Sequence, residues 1–455
     1  MRSHPLLGSI VIGLGAMVAA MDTSVNIVFK NITGSFGLPQ STIQWVIISY
    51  VLFYGSLLTI FGKLGDVRGH LLVFRVGLLL STITLLLFYW QPGFSFLLLL
   101  RIAQGVGAAL TFSCTIALAT ALYNETQRRW QVGMVTSFFS LGSVTGALLG
   151  LVVVSNDLPW EFVFSLRAPI AVVVLALTPL IQLEHKRVER KIDWVGAVLF
   201  ILSIGALISA LTLRIPVWSG ILTAGAILCA IAFFRYESRH PDPVVRSRAF
   251  TRNPDLSISI VIGLGVFLVS FGPMLLLPYH PTLSTYEMSL ALIAGFCGTL
   301  TGSLIALALS NVLDDKWTSG CGLVLAWAGT FLIGLSITNP SSVTNLAAVL
   351  LLQGLGVGLF QVAYTDLLAS TLPAADRGVA GGLAGLTRTV GFVAGASVLS
   401  AIFQSAISPA KLGDVGYPDA WLMAFQSTFY YAGLGLLALL VVAGVLLWPK
   451  PAPRA

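Results

Sequence analysis

Four charged side chains stand well inside apolar stretches of this chain: Asp22 in AAMDTSVNIVF, Arg101 at the head of RIAQGVGAAL, Asp366 in QVAYTDLLAS and Arg388 in GLTRTVG. A charge at a bilayer centre costs roughly 2.5–3.5 kcal/mol on insertion scales, so those that are kept are candidates for function. Asp22 lies too deep in its stretch to snorkel easily to water. Hydrocarbon favours the neutral form of a carboxyl group, so an acid there can take up and release a proton near neutral pH. A carrier that moves protons needs such a seat; the plainer reading is a carboxylate paired with an Arg or bonded to neighbouring helices for packing. Gln104 follows Arg101 by one helical turn, and Gly105 and Gly107 permit close helix approach. A guanidinium that never loses its charge alters a carboxyl group's proton affinity as it approaches or recedes. Its plainer role is an anchor at the membrane boundary.

The remaining candidates divide more evenly. Asp366 lies toward one end of its stretch, with Arg377 soon after it, and reads either as a substrate-facing acid suited to a cationic solute or as a partner for loop arginines. Arg388 reads as a counter-ion or gating group, or as part of helix packing. Gly142, Gly146 and Gly150 form a GxxxGxxxG ridge, whose ordinary meaning is close helix packing. Glu287 and Arg167 fall near stretch ends and are expected at a solvated surface. The four cysteines have no CxxC spacing and the five histidines are scattered, so no metal constellation is expected. HExxH, GxSxG and paired-carboxylate patterns are absent, which argues against an enzyme.

What must position these residues is a set of membrane helices. Of 455 residues 56% are hydrophobic and 9% charged, too few charges to solvate a water-soluble surface. A bilayer about 30 Å thick needs roughly 20 apolar residues per spanning helix. Stretches of that kind recur as fourteen candidates, the first at about 7–29, the second at about 41–62 and the last at about 423–448. The N-terminal stretch reads as a retained helix rather than a cleaved signal. Most of the 25 basic residues fall in alternate loops and at the termini, and the positive-inside rule then places both termini in the cytoplasm. The net charge of +7 is thereby a matter of orientation, and no basic run interleaved with aromatics suggests nucleic acid.

The chain also repeats itself. SIVIGLG occurs at Ser9–Gly15 and again at Ser259–Gly265. At nearly the same offset Asp66 and Arg68 correspond to Asp314 and Lys316, Gln104 and Gly105 to Gln353 and Gly354, and Gly142 and Gly146 to Gly391 and Gly395. The order is the same in both copies, so the duplication is parallel, a plan in which six-helix halves enclose a substrate site at the midplane. Asp22 aligns with Gly272 and Arg101 with Leu350, which leaves the proton chemistry to the first half.

These motifs resemble the major facilitator superfamily, and within it the fourteen-helix drug/proton antiporters, over nearly the whole chain. Asp22 to Asn26 is similar to that subfamily's acidic first-helix motif. Gly62, Leu64, Asp66 and Gly69 match the loop signature after the second helix, and Arg101, Gln104, Gly105 and Gly107 the fourth-helix motif linked with proton transfer. Gly142, Gly146 and Gly150 match the fifth-helix antiporter motif, and Asp193, Trp194 and Gly196 the opening of an inserted helix pair. Departures are Val67 for an Arg in the loop signature, Ala147 for a Pro and Leu151 for a Gly in the fifth helix, and Glu161 and Arg167 for an Arg and an Asn before the sixth.

The resemblance implies an all-α integral membrane protein of the major facilitator fold, with fourteen helices as six, two and six. The halves are 1–192 and 256–455, with the inserted pair and linker at 193–255. The expected function is proton-coupled export of amphipathic or cationic drug-like compounds by alternating access, with an uptake or lipid-exporting carrier as the alternative and a non-transporting receptor or scaffold more distant. Asp22 and Arg101 would couple the proton; Gly62, Asp66, Gly69 and Asp314 would serve the cytoplasmic gate; Asn26, Gln104, Asp366 and Arg388 would face the substrate. No cofactor beyond the proton gradient is expected, and the partners are a small-molecule substrate and the bilayer of the cell membrane, with the chain working as a monomer.

Overall fold

Lipid offers no partner for an unpaired backbone N–H or C=O, so a chain this apolar is driven into helices. The computed structural model describes residues 5–38, 44–90, 93–122, 127–181, 193–212, 216–240, 254–310, 312–336, 343–372, 377–407 and 417–446, and no strand occurs among them. Fourteen helices among these residues are long and apolar enough to cross a membrane. They are α1 Leu6–Ile27, α2 Trp45–Arg68, α3 His70–Trp90, α4 Phe94–Ala121, α5 Arg128–Ser155, α6 Phe162–Leu180, α7 Trp194–Leu211, α8 Val217–Glu237, α9 Leu256–Leu276, α10 Tyr286–Leu309, α11 Asp315–Leu335, α12 Val343–Thr371, α13 Val379–Ala406 and α14 Pro418–Gly444.

The repeat in sequence is a repeat in packing. In the first half α4 lies against α2 and α3 while α1 lies against α5; in the second half α12 lies against α10 and α11 while α9 lies against α13. The halves meet where α2 packs on α13 and α5 on α10, two contacts that the repeat exchanges. The inserted α7 leans on both α2 and α13, and α8 packs chiefly on α7. Asp193 opens α7, its Oδ1 accepting a hydrogen bond from the Gly196 N–H at 2.9 Å, an ordinary way to satisfy a first-turn donor.

Departures from regular helix matter for the site, one of them a turn at Leu166 and Arg167 inside α6. The chain forms a turn at Met21 and Asp22 before the helix resumes at Thr23, and α9 is interrupted at the equivalent Phe271. The second copy of the break carries Gly272 and Pro273 and no charge. Elsewhere α2 runs on to Arg68, not to residue 62 as the sequence suggested. Gly62 and Asp66 are therefore helical rather than in a loop. Only Gly69 leaves the helix, with φ of 102°, a conformation that glycine adopts without strain, and the chain turns there straight into α3.

Candidate functional site

The break in α1 frees one turn of backbone in the interior of the first half, and Asp22 occupies it. Its Oδ1 accepts hydrogen bonds from Arg101 Nη1 at 2.8 Å, Gln104 Nε2 at 3.1 Å and Arg167 Nη1 at 3.1 Å, and its Oδ2 accepts from Arg101 Nη2 at 3.0 Å. Arg101 is held in turn by the Val46 carbonyl at 3.1 Å, by Gln104 Oε1 at 2.8 Å and by the face of Tyr50, 4.4 Å from the ring centroid. Arg167 reaches from the head of α6 and also donates to the Val18 carbonyl at 3.1 Å, one of the groups left without a helical partner near the break.

Two guanidinium groups against one carboxylate leave this cluster with a net positive charge. The arginine side chains are 3% and 2% exposed and that of Asp22 16%, so the acid is the member that a proton can reach. Arg167 corrects the expectation of a solvated residue: its place next to the α6 start suggested water, but α6 begins beneath α1. The one signal that could have found it is the departure before the sixth helix, where an Arg stands for an Asn.

The glycine ridge of α5 makes the arrangement possible. A Cβ on Gly142 would meet the Met17 carbonyl, one on Gly146 the Met21 carbonyl, and one on Gly150 the Ser24 carbonyl. The ridge thus lies along the broken backbone that carries Asp22, in agreement with the close-packing reading. Gly391 and Gly395 press on α9 at Leu264 and Leu268 in the same way.

Between the halves a cavity of about 20 Å³ is lined by residues of α4, α5, α9, α12 and α13, among them Phe112, Phe139, Gln361, Tyr364 and Arg388. That is room for about one water molecule, so the halves are closed around the middle. Arg388, 6% exposed, lies 3.9 Å from the Phe139 ring centroid and 4.8 Å from that of Phe112, and donates to the Tyr54 hydroxyl at 3.4 Å. Among the described residues no carboxylate forms an ion pair with it within 4.0 Å. Aromatic faces return about 2 kcal/mol to a desolvated cation. Burying an ion costs several kcal/mol, which here is offset by two ring faces and one hydroxyl rather than by an anion.

The other expected cavity residues are elsewhere. Asp366, 1% exposed, accepts a hydrogen bond from Arg128 Nε on Oδ1 at 3.0 Å and forms an ion pair with Arg129 Nε through Oδ2 at 3.6 Å, and it does not line the central cavity. Gln104 belongs to the Asp22 cluster, and Asn26 donates to Met274 Sδ at 3.7 Å across the halves. Arg129 also binds Asp315 at 2.8 Å. Arg128 and Arg129 on α5 are thereby tied to α11 and α12 at the end of the bundle that carries Arg68. Asp315 was not singled out in the sequence; its neighbour Asp314, paired with Asp66 by the repeat, is exposed and caps α11 only through its carbonyl. The Asp66 side chain is 2% exposed and pairs through Oδ1 with His70 Nε2 at 3.1 Å. Near the same end, Gly382 at the head of α13 sits against the backbone of Leu58 and Thr59, and Gly62 is buried.

The chain is similar to known transporters over almost all of its length. Residues 12–236 match the Major Facilitator Superfamily and residues 206–449 the Sugar (and other) transporter family. The multidrug resistance protein Stp of Mycobacterium tuberculosis is 28% identical over 429 residues, covering 90% of this chain and 78% of that protein. The riboflavin transporter RibZ of Clostridioides difficile is 24% identical over 442 residues, covering 93% of each. The crystal structure of the human organic anion transporter MFSD10 superposes with a TM-score of 0.69 at 15% identity over 97% of this chain and 99% of that one, a likeness of fold.

Proposed function

The chain belongs to the major facilitator superfamily of membrane transporters, and on that premise we propose that it is a proton-coupled exporter of amphipathic, drug-like compounds working by alternating access. The observation that carries this reading is the Asp22 cluster. A carboxylate bonded to arginines from α4 and α6 at a helix break can exchange those bonds for a proton, because protonation cancels the charge that both guanidinium groups hold. Release of Arg101 and Arg167 would free α4 and α6 from α1, and the glycine ridge of α5, lying on the same break, would carry the change toward the other half. Arg101 couples the proton, and Arg167 positions the acid. One charge crossing 100 mV is worth roughly 2.3 kcal/mol before any pH gradient is added, enough to drive uphill movement of a solute.

On this reading the substrate binds between the halves, near Arg388, when the Arg128 and Arg129 ties to Asp366 and Asp315 open. Both termini and that end of the bundle face the cytoplasm, and the protein resides in the cell membrane. The relative named as a multidrug resistance protein supports export. Ala147 and Leu151, which stand where the antiporter motif has Pro and Gly, together with a relative named as a riboflavin transporter, support the second reading of an uptake or lipid-exporting carrier.

Reconstitution of the full chain in vesicles with an imposed proton gradient tests the coupling. Asp22→Asn should abolish gradient-driven movement while the protein remains monodisperse. Undiminished uphill transport in that variant would falsify the proton role. Direction is tested by a resistance assay in a host stripped of its own exporters, where no shift for any amphiphile favours the second reading.

A further inference from the structure

We propose that the cavity at Arg388 selects anionic aromatic solutes rather than cationic ones, an inference that rests on the reading of this chain as a transporter with its substrate site between the halves. The charge found in the cavity wall is positive, and Asp366, the acid that would have suited a cation, is not among the residues that line it. Arg388 is buried against two phenylalanine rings and one tyrosine hydroxyl, with no carboxylate ion-paired to it among the described residues. A guanidinium in that setting lacks the anion it is built to bind in a forked, two-bond geometry.

A second, independent feature points the same way. Gln361, 5% exposed, lines the same cavity from α12, and its Nε2 is a buried donor with no hydrogen-bond partner among the described residues. Thr365 and Thr136 also line it, and each spends its hydroxyl proton on a backbone carbonyl of its own helix, at 2.7 Å in both cases. The donors with bonding capacity left over are thus Arg388 and Gln361, one on each of two adjacent helices of the second half. The rings of Phe112 and Phe139 come from the first half. Opening the halves would therefore present these donors, beside the rings of Phe267 and Tyr364, on one wall and the faces of Phe112 and Phe139 on the other, which matches a flat solute carrying a carboxylate, a sulfonate or an ionised phenol. A cation would meet Arg388 across a medium of low dielectric, where like charges repel strongly.

Equilibrium binding to the purified full chain, without any gradient, tests this. Fluorescein and rhodamine 6G share a xanthene frame and carry opposite charge, and fluorescence polarisation reports the affinity of each. Fluorescein should bind at least about tenfold more tightly, the least that a charge-assisted hydrogen bond contributes. Arg388→Gln should cost fluorescein about that factor and leave rhodamine 6G unchanged or tighter, Arg388→Lys should retain most of the preference, and Gln361→Leu should cost fluorescein a few-fold. Equal or tighter binding of rhodamine 6G by the unaltered chain overturns the inference, and so does binding of neither dye. A monodisperse Arg388→Gln protein with unchanged fluorescein affinity overturns it too. Since the unaltered chain alone decides the preference, a variant that fails to fold leaves the test intact. Retention of fluorescein binding by a chain that shows no gradient-driven transport would remove the proposed coupling and leave the charge preference standing.

Discussion

At the scale of single residues, Asp22 holds two arginines by different contacts, both oxygens meeting Arg101 and one meeting Arg167. Asp22 and Arg101 were legible in the sequence because each sits in a run otherwise free of charge. Arg167 was not, since a residue beside a helix start is ordinarily in water, and only the tertiary placement of α6 beneath the α1 break puts it at 1% exposure. The cluster now has a use for Arg167 that is separable from that of Arg101. Arg101 makes the two-oxygen contact with Asp22, whereas Arg167 bonds one oxygen and the Val18 carbonyl. Arg167→Gln should therefore keep the Asp22 to Arg101 pair but lose two bonds inside the protein, a cost of about 1–3 kcal/mol for leaving buried groups unmet. The expected outcome is a lower midpoint in a thermal scan of the detergent-solubilised protein and slower gradient-driven transport. Glu161→Gln, six residues before Arg167 and half-buried, should leave both unchanged. A stable, fully active Arg167→Gln protein would show that Asp22 needs one arginine only.

At the scale of elements, hydropathy gave the number of helices and nearly all their positions, because burial of apolar surface and backbone bonding in lipid leave a long apolar stretch few other choices. It did not give the interruptions. Met21, where α1 turns, is an ordinary helix residue and its break is stabilised from outside by the neighbouring helix, whereas the α9 break at Phe271 has a local cause in Pro273. In the first half that neighbour is α5, whose glycines let its backbone approach the broken turn more closely than any Cβ would allow. The GxxxGxxxG pattern was read in sequence as packing; that it packs on the Asp22 turn is what the structure adds. Gly146→Ala should then be costly, since its Cβ would meet the carbonyl oxygen and the Cα of Met21, both backbone atoms, as well as Thr23 Oγ1. Overpacking of this kind costs about 1–3 kcal/mol, and here the displaced element carries the proton site, so transport should fall more than thermal stability. Gly435→Ala on α14, where a Cβ meets nothing within 4 Å, is the control and should be neutral in both measurements.

At the scale of the whole molecule, the duplication announced two halves, and the exchange-related contacts of α2 with α13 and α5 with α10 are its physical result. Which end of the bundle is closed was not legible, because one sequence must support both arrangements of a carrier and the difference between them is small. The structure is closed at the end of Arg128 and Arg129, and the group at the centre of that closure is Asp366, a buried acid between two partly exposed arginines. The Arg129 to Asp315 pair, with side chains 26% and 19% exposed, is screened by water and contributes little alone. Removing the acid from a buried pair is another matter, with a cost of about 3–5 kcal/mol. Asp366→Asn should accordingly shift the chain toward the state open at that end. Ile116 lines the central cavity and offers the readout: a cysteine placed there by Ile116→Cys, in a chain whose four native cysteines are replaced by serine, should react several-fold faster with a membrane-impermeant maleimide once Asp366 is neutralised. Arg128→Gln should act in the same direction and more weakly, because Arg129 still reaches the acid. If the labelling rate is the same with and without Asp366, the closure rests on the close approach of Gly382 to the backbone of Leu58 and Thr59 instead, and the ion pairs only decorate it.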